Sequence, residues 1–100
     1  MVDNITSALD FYKKIIGHKE VTVKFIKKDG SIRLMRCTLD FTQIQKDKQP
    51  KKVSIQKILN DINKFKIIKV YDLDANDWRS VNYETAEWVE TPDKIYHVVK

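Results

Sequence analysis

The side chains that most often carry chemistry are few in this sequence, and they are badly spaced for it. His18 and His97 are the only histidines and stand toward opposite ends of the chain; with one cysteine, Cys37, and no His-Glu-x-x-His pattern they offer no zinc-ligand set. Ser7, Ser31, Ser54 and Ser80 lack a His–acid partner in any recognisable nucleophile motif. Two glycines, Gly17 and Gly30, are too few for a phosphate-cradling loop, which removes the common nucleotide-binding motifs. Asp72, Asp74 and Asp77 cluster, but without the central glycine and closing glutamate of a calcium loop, so they read as turn residues. Cys37 lies in a strand pattern and reads as a small buried hydrophobe. The sequence therefore predicts no catalytic residue, no metal site, no cofactor and no enzymatic activity.

What remains is charge. The chain carries a net charge of +5, distributed unevenly. Residues 1–66 hold 15 Lys and Arg against 7 Asp and Glu, a balance of +8, whereas residues 67–100 hold 4 against 7, a balance of −3. The densest stretch contains Lys24, Lys27, Lys28, Arg33, Arg36, Lys46, Lys48, Lys51 and Lys52, which together form a candidate binding surface for polyanions or acidic proteins. An AT-rich genome also favours Lys, Ile and Asn codons, so composition alone explains part of this excess. A second candidate is aromatic: Tyr71 and Trp78 either pack under cover or form an exposed contact site.

These residues must be positioned by a small set of elements. One hundred residues suffice for one domain, residues 1–100, with a modest core. Ile5, Ala8, Tyr12, Ile15 and Ile16 recur at helical spacing before Gly17 and predict a helix over 5–16. Alternation in Glu20–Lys27, the Asp29-Gly30 turn and the run to Leu39 predict a hairpin over 20–39. With Lys28 opposite Ser31, Val23 would face Arg36, and a bulge near Leu34–Met35 would repair that mismatch. Residues 40–52 lose periodicity and read as a solvated, mobile loop. Ile55, Ile58, Leu59, Ile62 and Phe65 then predict an inserted helix over 53–65, capped by Ser54. Residues 67–90 read as a second hairpin plus a fifth strand. Pairing Leu73 with Trp78 there sets Asp72 against Arg79 as an ion pair, with Ile68, Val70, Val81 and Tyr83 on one face and Tyr71, Leu73 and Trp78 on the other. The tail, 91–100, has strand composition and either pairs with an open edge or frays. No apolar run is long enough to span a membrane and no secretory signal is visible, so the expected location is the cytoplasm.

Several of these residues carry a family resemblance. Val21-Thr22-Val23, Lys27-Lys28-Asp29-Gly30, the set Arg33, Met35, Arg36, Cys37, Thr38 and Leu39, then Val70-Tyr71-Asp72 and Trp78-Arg79-Ser80-Val81 resemble the short tailed-phage proteins grouped as WYL-like, which have Sm-like barrels. The resemblance covers the two hairpins, a third to a half of the chain. It implies an α+β fold: a small Sm-like or Src-homology-3-like five-stranded antiparallel β-barrel, here with an N-terminal helix and a second helix inserted between hairpins. It also implies a phage accessory protein in an infected bacterium, and carries over no catalytic residue. Two function classes follow. The first is a non-catalytic interaction module acting on a host bacterial protein, such as transcription or defence machinery, or self-associating as a homo-oligomer through the C-terminal strand. The alternative is a nucleic-acid-binding barrel that uses the basic 24–52 region.

Overall fold

The structure is a computed structural model that describes residues 3–99. Residues 1–2, and Lys100 of the expected tail strand, lie outside the described residues. In chain order the elements are β1 (Asp3–Ile5), α1 (Ala8–Ile16), β2 (Val21–Ile26), β3 (Ile32–Thr38), α2 (Ile55–Phe65), β4 (Ile67–Asp72), β5 (Asp77–Asn82), β6 (Ala86–Glu90) and β7 (Ile95–Val98), with short 3-10 turns at Phe41–Gln43, Lys46–Lys48 and Tyr83–Thr85. The strands form one sheet in the order β1-β7-β6-β2-β3-β4-β5. It has seven strands where the sequence predicts five. The central five, β6-β2-β3-β4-β5, are the expected ones, and the flanks β7 and β1 are additional.

The first of these additions comes from a boundary the helical pattern hides. Ile5 has helical spacing to Ala8, yet Ser7 is extended (φ −148°, ψ 156°) and its hydroxyl accepts the Asp10 N–H, so the helix starts at Ala8 and Ile5 belongs to a strand. The tail resolves its own alternative: β7 pairs antiparallel with β6 and parallel with β1. Because β7 is bonded on both sides, a second chain would have to displace β1 to pair with it.

Turn chemistry sets both hairpin registers, and each differs from expectation in an instructive way. In the first, Lys27 N–H donates to Ser31 C=O (2.8 Å) and Gly30 N–H to Lys27 C=O (2.9 Å), closing a three-residue loop with Gly30 at φ +88°. That shifts the pairing by one residue. Val23 now faces Met35 rather than Arg36, and a one-residue shift moves side chains to the opposite face. No bulge is needed at Leu34–Met35; the ladder is regular there, and the irregularity lies instead between Lys24 and Phe25 where β2 meets β6. Ile32 and Leu34 consequently point outward and are exposed. In the second hairpin the shift is two residues: Asp72 faces Asp77, Tyr71 faces Trp78 and Val70 faces Arg79. An even shift preserves faces, so Ile68, Val70, Val81 and Tyr83 share the core as expected.

The anticipated Asp72–Arg79 pair does not form. The Asp72 carboxylate is fully buried; one oxygen accepts from the Arg33 guanidinium at 2.6 Å and the other from the N–H groups of Asp74 (3.0 Å) and Ala75 (3.1 Å). Asp72 thus nucleates the second turn and ties it to β3 at once, which is why the loop begins one residue earlier than the polar run suggests. Arg79 pairs with Asp77 on its own strand at 3.2 Å.

The ends of the sheet are brought together by Tyr83. Its hydroxyl lies 3.3 Å from the carbonyl oxygens of Ile5 and Val99, able to donate to either, and its ring meets Phe11 edge to face at 5.9 Å. Since Tyr83 follows β5, at one edge of the sheet, and Ile5 lies in β1, at the other, the sheet curls on itself around a core that includes Phe11, Ile15, Val23, Met35, Val70 and Val89.

Two outcomes are expected. Asp72→Ala strands Arg33 and frees two turn N–H groups, and should cost about 2–4 kcal/mol in urea denaturation, with Asp72→Asn costing less because it keeps the turn acceptor. Burial, with help from Asp72, pushes the Cys37 thiol up from 9.0 to about 12. Its folded pKa is raised, so the associated stability is present below pH 9 and is lost as pH rises from 9 toward 12. Cys37 should resist thiol reagents at neutral pH and react once the chain is unfolded in guanidinium.

Candidate functional site

The segment 40–52, expected as a solvated loop, is tied down along its length. Thr38, buried at the end of β3, donates its hydroxyl to Lys19 C=O (2.6 Å) and accepts the Asp40 N–H (2.9 Å). The Asp40 carboxylate then caps the first 3-10 turn, accepting from the Thr42 N–H and hydroxyl, contacts that hold its pKa below the usual carboxylate value. Ile44 is buried, and the Gln49 side-chain amide donates to the carbonyls of Phe41 and Ile44, both at 2.9 Å. These polar residues satisfy the backbone of a segment that has no ladder partner.

What the segment covers is the outward face of β4 and β5. Tyr71 is buried and Trp78 half-buried; their rings meet edge to face at 5.6 Å, and Phe41 meets Trp78 in the same manner at 6.5 Å. The Trp78 indole N–H donates to Lys48 C=O at 2.7 Å. Each aromatic pair contributes about 0.5–1.5 kcal/mol beyond area burial. Cover therefore comes from the 40–52 segment, and the inserted helix lies alongside.

Between α1, α2, this segment and β4 opens a groove of about 660 Å³. Its floor is apolar, with Tyr12, Leu39, Ile58, Ile62 and Ile68 among its residues, and its rim carries Lys48, Lys52, Lys57 and Lys69 with Asp61 as the one acid. The groove exists because α2 is only partly covered. Of its predicted stripe, Ile62 is buried and Ile58 and Leu59 half-buried, while Ile55 and Phe65 are exposed. Ile16 at the end of α1 is 49% exposed and Val53 before α2 is 51% exposed, and both line the groove.

The basic residues singled out from sequence do not form one surface. Lys24 pairs with Glu87 (3.7 Å), Arg33 with Asp72, and Arg36 with both Asp74 (3.0 Å) and Glu20 (3.4 Å). The hydrogen bond to Asp74 and then its charge raise the Arg36 pKa, as expected of a guanidinium held by carboxylates. Lys27 and Lys28 stand at the hairpin turn beside Asp29 and line a second, shallow cleft with Ser80, Asn82 and Thr85. Lys46 and Lys51 are exposed in the 40–52 segment. Lys48 and Lys52 alone of the set reach the groove, and there they meet Trp78. Sequence reading missed Lys57 and Lys69. Lys57 sits on what looked like a solvated helix face, and the signal for Lys69 was its outward position between Ile68 and Val70 in a strand whose two faces both needed cover. Among the described residues no group of three His, Cys, Asp or Glu side chains is placed to hold a metal ion, and no helix is long and apolar enough to cross a membrane.

Compared with known protein families, residues 11–85 match WYL_2, described as an Sm-like SH3 β-barrel fold. No curated protein and no solved structure matches the chain. The matched span runs from α1 through the Tyr83–Thr85 turn, so it contains the whole groove, while β6, β7 and β1 lie outside it. With three quarters of its residues inside that match, the chain belongs to the WYL_2 family of Sm-like SH3 β-barrels.

Proposed function

We propose that the protein is a non-catalytic interaction module that docks a segment of another protein in the groove between α1, α2 and β4. The observation that carries this reading is exposed apolar surface at the mouth of an apolar groove, with Ile16 and Val53 each about half exposed. Residues that could have been buried by a closer approach of α2 are left in contact with solvent, which a monomer has no energetic reason to tolerate over a contiguous patch. The groove is also within the size range of small-ligand pockets, but it is a surface cleft bounded by side chains from α1, the 40–52 segment, α2, β4 and β5. In the setting that the phage resemblance implies, the partner is a host bacterial protein, and transcription or defence machinery is the class to search first.

Nucleic-acid binding is the second reading, supported by the net charge of +5 and by Lys27, Lys28, Lys46 and Lys51, which stand exposed. Against it, three of the five hairpin cations are occupied by carboxylates. Phe25, the hairpin aromatic, is partly buried against the core and gives only part of its surface to the cleft beside Lys27 and Lys28, which limits stacking.

Selection of a random peptide library on the protein separates the two. Enriched peptides are expected to bind the wild type and to lose about tenfold or more against Val53→Asp, which places a charge at the groove mouth without touching the core. No enrichment, together with oligonucleotide binding that survives raised salt, would favour the nucleic-acid reading instead.

A further inference from the structure

We propose that the groove's occupant is an acidic amphipathic segment, one that brings its own apolar side chains and carboxylates. This inference rests on the interaction-module reading and adds the chemistry of the partner. The argument is one of charge complementarity. Five cations have a carboxylate within 4 Å: Lys24, Arg33, Arg36 and Arg79, and Lys14, which pairs with Asp10 at 3.6 Å. Other lysines stand exposed elsewhere on the surface, Lys27, Lys28, Lys46 and Lys51 among them, and four gather around the groove. Lys48, Lys52, Lys57 and Lys69 are all exposed, and among the described residues none forms an ion pair. Against four positive charges the lining offers the single carboxylate of Asp61, with Asp77 close enough to interact with Lys48. Excess positive charge around an apolar floor steers and holds a ligand of opposite sign that can also cover that floor.

Two other polyanionic or anionic ligands fit less well. A nucleic acid has the charge but little to place on a floor of Leu39, Ile58, Ile62 and Ile68. It would look for an aromatic platform, and Trp78 is already engaged edge to face by Tyr71 and Phe41, with its N–H committed to Lys48. A single-chain fatty acid has the apolar body but one carboxylate, and the cations come from three separate elements, the 40–52 segment, α2 and β4. A peptide that alternates apolar anchors with Asp or Glu satisfies the floor and the rim together.

The test uses the full chain carrying Trp88→Phe, which leaves Trp78 as the sole tryptophan and as a reporter at the groove. Two synthetic peptides are titrated, one with Leu and Phe at helical spacing and Glu elsewhere, the other identical but with Lys for every Glu. The acidic peptide should shift Trp78 emission and bind at least about tenfold more tightly than its basic counterpart, with affinity falling as salt rises. The double variant Lys52→Glu/Lys69→Glu, both exposed sites, should abolish that preference while circular dichroism stays unchanged. Equal or tighter binding of the basic peptide overturns the acidic assignment and leaves the interaction-module reading standing. Binding of neither peptide, or tighter binding of a single-stranded oligothymidylate at the same reporter, also overturns it. The broader reading falls only if library selection yields nothing as well.

Discussion

The constraint on which this structure turns is that β4 is buried on its core face and, at Tyr71, on its outer face as well. Ile68, Val70 and Asp72 face the core of the curled sheet, and Tyr71 on the opposite face is buried as well. A strand with two buried faces in a small antiparallel sheet needs a second layer, and the chain supplies one by inserting residues 39–66 immediately before it. The anchored 40–52 segment takes the aromatic end of the outer face, over Tyr71 and Trp78, while α2 packs Ile58 and Ile62 against the core cluster that includes Ile68. Both line the groove, so the candidate site follows from how the strand is covered.

Electrostatics sorts the charged residues along the same division. On the sheet, cations and carboxylates are matched: Arg33 to the buried Asp72, Arg36 to Glu20 and Asp74, Lys24 to Glu87. The exposed pairs among these contribute roughly 0–1 kcal/mol each, and all of them offset part of the field that a count of basic residues suggests. Around the groove four lysines stand without an ion pair, and other exposed lysines such as Lys27, Lys28, Lys46 and Lys51 carry positive charge elsewhere on the surface. Asp72 joins the two regions. It fixes the register of β4 against β3, and through the turn it starts, it fixes where Trp78 stands beneath the inserted segment.

Much of this was legible in the sequence where local signals are strong. The apolar alternation of β2 and β4, the helical stripe capped by Ser54 and the hairpin signature of Val70–Val81 all led to the correct elements. What was not legible depended on single backbone decisions. Asp29-Gly30 suits a two-residue turn equally well, and nothing in the sequence shows that Lys28 joins the loop; that one residue reversed which side of β3 faces the core and left Ile32 and Leu34 outside. Ile5 carries helical spacing but is drawn into a parallel pairing with β7, a contact 93 residues away in sequence that no local pattern reveals. The site was half visible: Lys48, Lys52 and Trp78 were identified, but Lys57 and Lys69 join them only through the packing of α2 and β4.

The most direct measurement of the central claim is amide and indole chemical-shift mapping of the ¹⁵N-labelled protein during titration with the acidic amphipathic peptide. Perturbations should be concentrated at Tyr12–Ile16, at residues 48–58, at Lys69 and at the Trp78 indole N–H, leaving the hairpin around Lys27 and Lys28 unchanged. Perturbations centred on residues 24–36, with the Trp78 indole and α2 unaffected, would contradict it.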